Sequence, residues 1–180
     1  MELTKKDGGV AVIKIYQFNK ILTSEFQKAA NEILNEGDKK IIIDLRDNPG
    51  GYLEVSQAIA GWFLNKGELV VIQDEGQDKE KKQYLSEGPS TFVNYPVVIL
   101  INEGSASASE ILAGALRDNR KIKLVGAKSF GKGSVQEQID LSDKSSLKVT
   151  VAKWLTPNGT SLDKNGIDPD FLVPSNATTS

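Results

Sequence analysis

Three stretches of this chain hold residues whose types and spacing suit acyl-transfer chemistry, and each follows an apolar, strand-like run. Val97-Val98-Ile99-Leu100-Ile101 leads into Asn102-Glu103-Gly104-Ser105-Ala106-Ser107-Ala108-Ser109-Glu110, a small-residue segment that opens a helical pattern. Ile41-Ile42-Ile43-Asp44-Leu45 leads into Arg46-Asp47-Asn48-Pro49-Gly50-Gly51, and the strand ending at Val125 leads into Gly126-Ala127-Lys128-Ser129-Phe130-Gly131-Lys132-Gly133. Active sites of α/β sheets collect at the carboxyl ends of strands. A serine at a helix start, a flexible glycine turn and a glycine-flanked lysine are candidates for nucleophile, oxyanion hole and base. A serine hydroxyl needs a base to become nucleophilic. The chain has no histidine and no cysteine, which excludes His-dependent triads, thiol catalysis, Cys/His zinc sites and disulfides. Lysine is then the obvious base.

A free lysine ammonium gives up its proton only near pKa ~10.4, so a lysine acts as a base at neutral pH only when desolvated. This reading therefore expects Lys132 to be buried, with Phe130 and Val135 as its apolar surroundings and with Gly131 and Gly133 allowing close backbone approach. The helix starting near Ser107 adds N–H groups and a positive dipole end, both favourable to a developing oxyanion. Each piece also has a plainer use. Ser107 with Glu110 three residues on matches a capping box; Lys128 and Lys132 suit a solvated loop; Asn-Pro-Gly-Gly is a competent turn. Asp163, Asn165, Asp168 and Asp170 miss the spacing of a calcium loop and read as a surface turn. Gly126-x4-Gly131-Lys132 nearly reproduces a phosphate-binding loop. It fails at Gly133, where Ser or Thr would hold magnesium, and in the strand-like alternation of Val135, Ile139 and Leu141 where that motif requires a helix. No metal or cofactor is expected.

The elements that must position these residues follow from periodicity. Strands are expected at residues 10–16, 41–45, 69–72, 97–101, 121–125, 135–141 and 147–154, the last two with period-two alternation. Helices are expected from an N-cap at Thr23 to Gly37, around Val55, Ile59, Trp62 and Phe63, and from Ser107 to Asn119. Residues 73–90, heavily charged, read as a hairpin or exposed loop. Strands alternating with helices mean an α/β domain with a largely parallel sheet. The 180 residues, 39% hydrophobic and 26% charged, suit one globular domain without staples, with a frayed Ser/Thr/Asn-rich tail after Pro174. A net charge of −2 offers no basic footprint for nucleic acid, and no apolar run approaches the roughly 20 residues that span a bilayer.

Taken together, Ser105-Ala106-Ser107-Ala108-Ser109-Glu110 and Phe130-Gly131-Lys132-Gly133-Ser134-Val135-Gln136 resemble the carboxyl-terminal processing (tail-specific) peptidases, the S41 serine proteases. Asp44 to Gly51, Thr156-Pro157-Asn158-Gly159 and Gly166-Ile167-Asp168-Pro169-Asp170 look like the same family, in the family's order, from about residue 9 to 173. The resemblance implies a ClpP/crotonase-like spiral of ββα units. It implies Ser107 as nucleophile, Lys132 as general base, Gln136 as the lysine's support, and the N–H groups of Ala108 and Gly51 as the oxyanion hole. The implied activity is a cofactor-free Ser-Lys endopeptidase acting near the carboxyl ends of protein substrates. Were residues 132–136 fully extended, Lys132 and Gln136 would be roughly 13 Å apart, so the chain must bend there if the two are to meet. Family members usually carry a PDZ domain and a leader or membrane anchor ahead of this core. A PDZ domain is therefore expected in a parent protein, an extracytoplasmic place is implied by resemblance only, and oligomers are possible. Two other readings compete: a catalytically silent peptide-binding scaffold of the same fold, and an acyl-CoA enzyme using the glycine turn alone.

Overall fold

The structure is a computed structural model and describes residues 1–76, 79–142 and 145–173; the serine- and threonine-rich tail lies outside them. Strand β1 (Glu2–Lys6) and β2 (Val10–Lys14) form an antiparallel hairpin across Gly8 and Gly9, both at positive φ. From β2 the sheet continues in parallel through β3 (Lys40–Asp44), β6 (Val97–Ile101), β7 (Lys123–Gly126) and the two-residue β10 (Phe171–Leu172). Ile41, Ile43, Ile99, Ile101 and Leu124 are buried, as near-continuous apolar runs of a covered parallel sheet require.

Three helices cover this sheet: α1 (Leu22–Glu36), α2 (Leu53–Phe63) and α3 (Ala108–Arg120). Phe26 of α1, Trp62 and Phe63 of α2, and Phe92 and Tyr95 of the segment just before β6 interlock as tilted and edge-on aromatic pairs. The expected cap at Thr23 is displaced. Asn19 Oδ1 accepts hydrogen bonds from the N–H groups of Ile21 and Leu22, so the helix starts one residue before Thr23. An asparagine carboxamide reaches the orphan donors of a first turn well. Gly37 closes α1 at φ 75°, as its position suggested.

A second sheet, antiparallel in the order β5-β4-β9-β8, holds β4 (Leu69–Asp74), β5 (Lys82–Leu85), β8 (Ser134–Asp140) and β9 (Ser146–Leu155). The charged stretch after β4 thus contains a strand. Helix α3 packs against α2, β7 and β4, and every residue from Ala108 to Leu116 is buried. The helix that Ser107 opens is therefore clasped by both sheets, which fixes where its first turn lies.

Candidate active site

Two loops at the carboxyl ends of neighbouring parallel strands are stitched together before any reactive group is placed. Leu45, just past β3, and Asn48 accept most of the stitches. Ser105 Oγ donates to Leu45 O at 2.8 Å, Ala106 N–H to Asn48 O at 3.0 Å, and Ser109 Oγ to that same Asn48 O at 3.0 Å. Asn48 in turn donates from Nδ2 to Ile15 O at 2.7 Å and accepts the Gly50 N–H at Oδ1 at 2.9 Å. Asn48 is wholly buried and its polar atoms are matched, as burial demands. The three serines of the run are thereby sorted. Ser105 and Ser109 are 0% exposed and their hydroxyls are spent on backbone carbonyls. Ser107 is half-buried and its hydroxyl donates no hydrogen bond among the described residues.

Ser107 itself has φ 56° and ψ −115°, an unfavourable backbone for a residue with a side chain. Gly50 packs directly on it: an added methyl at Gly50 would lie 2.6 Å from Ala106 O, 2.7 Å from Ser107 Cβ and 2.9 Å from Ala108 N. At Gly51 (φ 144°) an added methyl would collide with the Phe18 carbonyl. Phe18 N–H donates to Gly50 O and Tyr52 N–H to Phe18 O, so the glycine turn is clamped on its far side. The N–H groups of Gly51 and Ala108 are left without a protein acceptor among the described residues. For Ala108 this is the ordinary state of a first helical residue.

The third loop, after β7, returns to the same helix start through Glu110. This carboxylate is 1% exposed and accepts four hydrogen bonds. Oε1 takes Ser129 Oγ–H at 2.6 Å and Gly131 N–H at 2.7 Å, while Oε2 takes Ser107 N–H at 2.8 Å and Lys132 N–H at 2.9 Å. One oxygen thus holds the backbones of both Ser107 and Lys132. From the other side, Gly131 and Gly133 abut residues 162–166 so closely that neither admits a side chain. Gly131 O accepts Lys164 N–H and Gly133 O accepts Trp154 N–H.

The Lys132 side chain departs from expectation in its burial. It is exposed, and neighbouring Phe130 is 67% exposed. The glycines on either side occupy the packed face of the loop, so the alternate residue is turned outward. Val135 alone packs on the core as anticipated. Gln136 lies exposed on β8, and no hydrogen bond joins it to Lys132 among the described residues. The bend that such a contact would need does exist: β8 begins only at Ser134, and its ladder with β9 carries a bulge between Val135 and Gln136.

At the end of β3, Asp44 steadies the glycine turn's approach. Its Oδ1 accepts Arg46 N–H at 3.0 Å and Nε–H at 2.9 Å, and its Oδ2 accepts an Nη2–H at 2.7 Å. Burial pushes the Asp44 carboxyl up, but the Arg46 hydrogen bonds and the charges of Arg46 and Lys14 outweigh it and hold the group below the usual carboxylate range. Sequence reasoning read Glu110 only as a cap and passed over Asn48 and Ser129. The Ser107-x-x-Glu110 spacing was the one available signal, and it revealed the first of Glu110's partners but not the other three.

In fold the chain is an α/β domain built on a largely parallel sheet. It superposes on the photosystem II D1 C-terminal processing protease with a TM-score of 0.83 at 33% identity, over 93% of this chain and 44% of that one. Mature CPAF shares the fold at a TM-score of 0.76 and 14% identity, over 92% of this chain and 46% of that one. The model of peptidase family S41 matches residues 9–173, and the chain belongs to that family. A "Probable CtpA-like serine protease" of Staphylococcus aureus (strain COL) is 43% identical over 169 residues, covering 94% of this chain and 34% of the relative. Its namesake in Staphylococcus epidermidis is 42% identical over the same share of each. The chain spans about a third of the length of these curated relatives. No helix among the described residues is long and apolar enough to cross a membrane.

Proposed function

We propose that this chain is the hydrolytic core of a Ser-Lys endopeptidase that cuts protein substrates near their carboxyl ends. The observation that carries the reading is the sorting of the three serines. Ser105 and Ser109 hold the loops together, whereas Ser107 Oγ accepts the Glu110 N–H of the capping box and, among the described residues, keeps its proton for another partner, beside two N–H groups without acceptors. In this reading Ser107 Oγ attacks the scissile carbonyl carbon, and the Lys132 amine takes the hydroxyl proton. The N–H groups of Ala108 and Gly51 then stabilise the oxyanion. Their value lies in being fixed before charge develops, and loss of one such donor costs about 10²–10³ in rate. The Lys132 ammonium returns its proton to the leaving amine. The neutral lysine next activates a water that releases the acyl group from Ser107 Oγ.

In this reading bound substrate covers the exposed Lys132 amine and excludes water from it. Gln136, across the bulge, would orient the amine once it is covered. The names of the relatives, CtpA-like serine protease and D1 C-terminal processing protease, agree with serine chemistry and with carboxyl-terminal cutting. A silent scaffold would have no use for a strained serine facing idle donors. The test is cleavage of unstructured polypeptides by wild type, Ser107→Ala and Lys132→Ala, with products sequenced by mass spectrometry. Products from the wild type alone are expected, and turnover by Ser107→Ala would sink the assignment.

A further inference from the structure

We propose that Glu110 and Ser129 form a positioning pair that sets the distance between the reacting serine and the lysine. The inference rests on the assignment of Ser107 and Lys132 to those roles. Every group that meets the Glu110 carboxylate is a donor: three backbone N–H groups and one hydroxyl. Ser129 cannot turn its hydroxyl away, because its Oγ already accepts the Ile167 N–H at 2.7 Å, which directs its proton to Glu110 Oε1. No ion pair serves Glu110 among the described residues; the four donors and the nearby start of α3 satisfy its charge.

The geometry is specific in what it joins. Ser107 belongs to the loop after β6 and Lys132 to the loop after β7, and no backbone hydrogen bond links these two residues directly. Their N–H groups meet on one oxygen, Oε2, which sets the two residues against each other, while the Phe130 N–H to Ser105 O bond at 3.0 Å ties the same two loops further back. Ser129 fixes the rotation of that carboxylate, and Ile167 fixes Ser129. The chain Ile167–Ser129–Glu110 thereby extends the site to the loop before β10. Neither residue contacts a substrate in this scheme. Both act through Ser107 and Lys132.

A glutamine at 110 keeps shape but puts an NH2 where one oxygen was. Whichever way it turns, it faces two N–H or O–H donors with a donor. The experiment follows labelling of Ser107 by an alkyl fluorophosphonate, in which the Oγ–P bond forms, the P–F bond breaks with fluoride leaving, and Lys132 receives the hydroxyl proton. Saturable labelling separates the inactivation rate from the reagent's binding constant. For E110Q we expect the rate to fall about 10²-fold, the size of effect that a small misplacement produces, with the binding constant within about threefold. S129A should lose about tenfold, and the double variant less than the product of the two, because both act through one carboxylate. Amide spectra should show the Ser107 and Lys132 N–H resonances moving together in E110Q, and in S129A, which removes no ligand of either.

Thermal melts normalise every rate to folded protein. E110Q and S129A that label at the wild-type rate per folded molecule, beside a Ser107→Ala variant that does not label, would overturn the positioning role alone. Labelling of Ser107→Ala at the wild-type rate would overturn the underlying assignment, and the pair's role with it. Strictly additive losses would also overturn the pairing.

Discussion

At Gly50 the site depends on a missing atom. A methyl there would press on Ala106 O, Ser107 Cβ and Ala108 N at once, and φ 99° is a conformation that side chains rarely adopt. Gly50→Ala is therefore expected to cost about 1–3 kcal/mol from backbone strain alone and to lower Ser107 labelling by more than its loss of folded protein. Urea unfolding beside fluorophosphonate labelling measures both. An active variant of unchanged stability would show that the turn does not abut the serine. Asn48→Ala should cost about 1–3 kcal/mol for each group it orphans, with the Gly50 N–H and Ile15 O losing their partners. Some of this was legible from residue types alone: a serine run, a glycine turn and a glycine-flanked lysine named three loops that the fold brings together. The uses of Ser105 and Ser109 were not, because hydroxyls of identical residues two apart differ only in what the fold sets opposite them. Lys132 was expected to be enclosed because its sequence neighbours are apolar, but sequence adjacency placed Phe130 beside it in solvent.

Among the elements, the β3 end is the one whose stability should respond to acid. Asp44 is held below its ordinary range in the folded chain, whereas an unfolded aspartate titrates near ~3.9. Its contribution is therefore complete above about pH 4 and is lost as pH falls through the lower folded value. Urea midpoints measured from about pH 7 down to about pH 2 should fall more steeply for wild type than for Asp44→Asn, which lacks that proton linkage. Identical pH dependence in the two would remove the ion pair from the account. The parallel strands other than β10 and all three helices were readable from period, the α1 cap excepted. Strand β1 escaped because its charged residues, Glu2, Lys5 and Lys6, belong to an edge that stays partly in water, and β10 because two residues carry no period. The second sheet escaped for a different reason. The alternation in β8 and β9 was visible, but the β4–β9 pairing that makes a separate sheet joins segments far apart in sequence, and no local pattern encodes it.

The whole molecule combines a serine side built on a buried helix start with an open lysine side. On the open side the β8–β9 hairpin extends beyond the core, with Ile139 opposite Leu147 in register and both in solvent. Replacing both with threonine should change unfolding free energy by no more than about 0.5 kcal/mol for each; a loss several times larger would mean the hairpin is packed in solution. The same asymmetry shapes the chemistry. Ser107, Ala108 and Gly51 are set by buried hydrogen bonds, whereas Lys132, among the described residues, is held through its backbone and its amine is left for what binds to cover. The most direct test is the pH dependence of kcat/KM for peptide cleavage from about pH 5 to about pH 9, with Lys132→Met alongside. A lysine base requires activity that rises with pH along a single ionisation, and a Met variant that folds but does not turn over. Activity that is flat across that range, or a Met variant that cleaves like wild type, would contradict the assignment of Lys132.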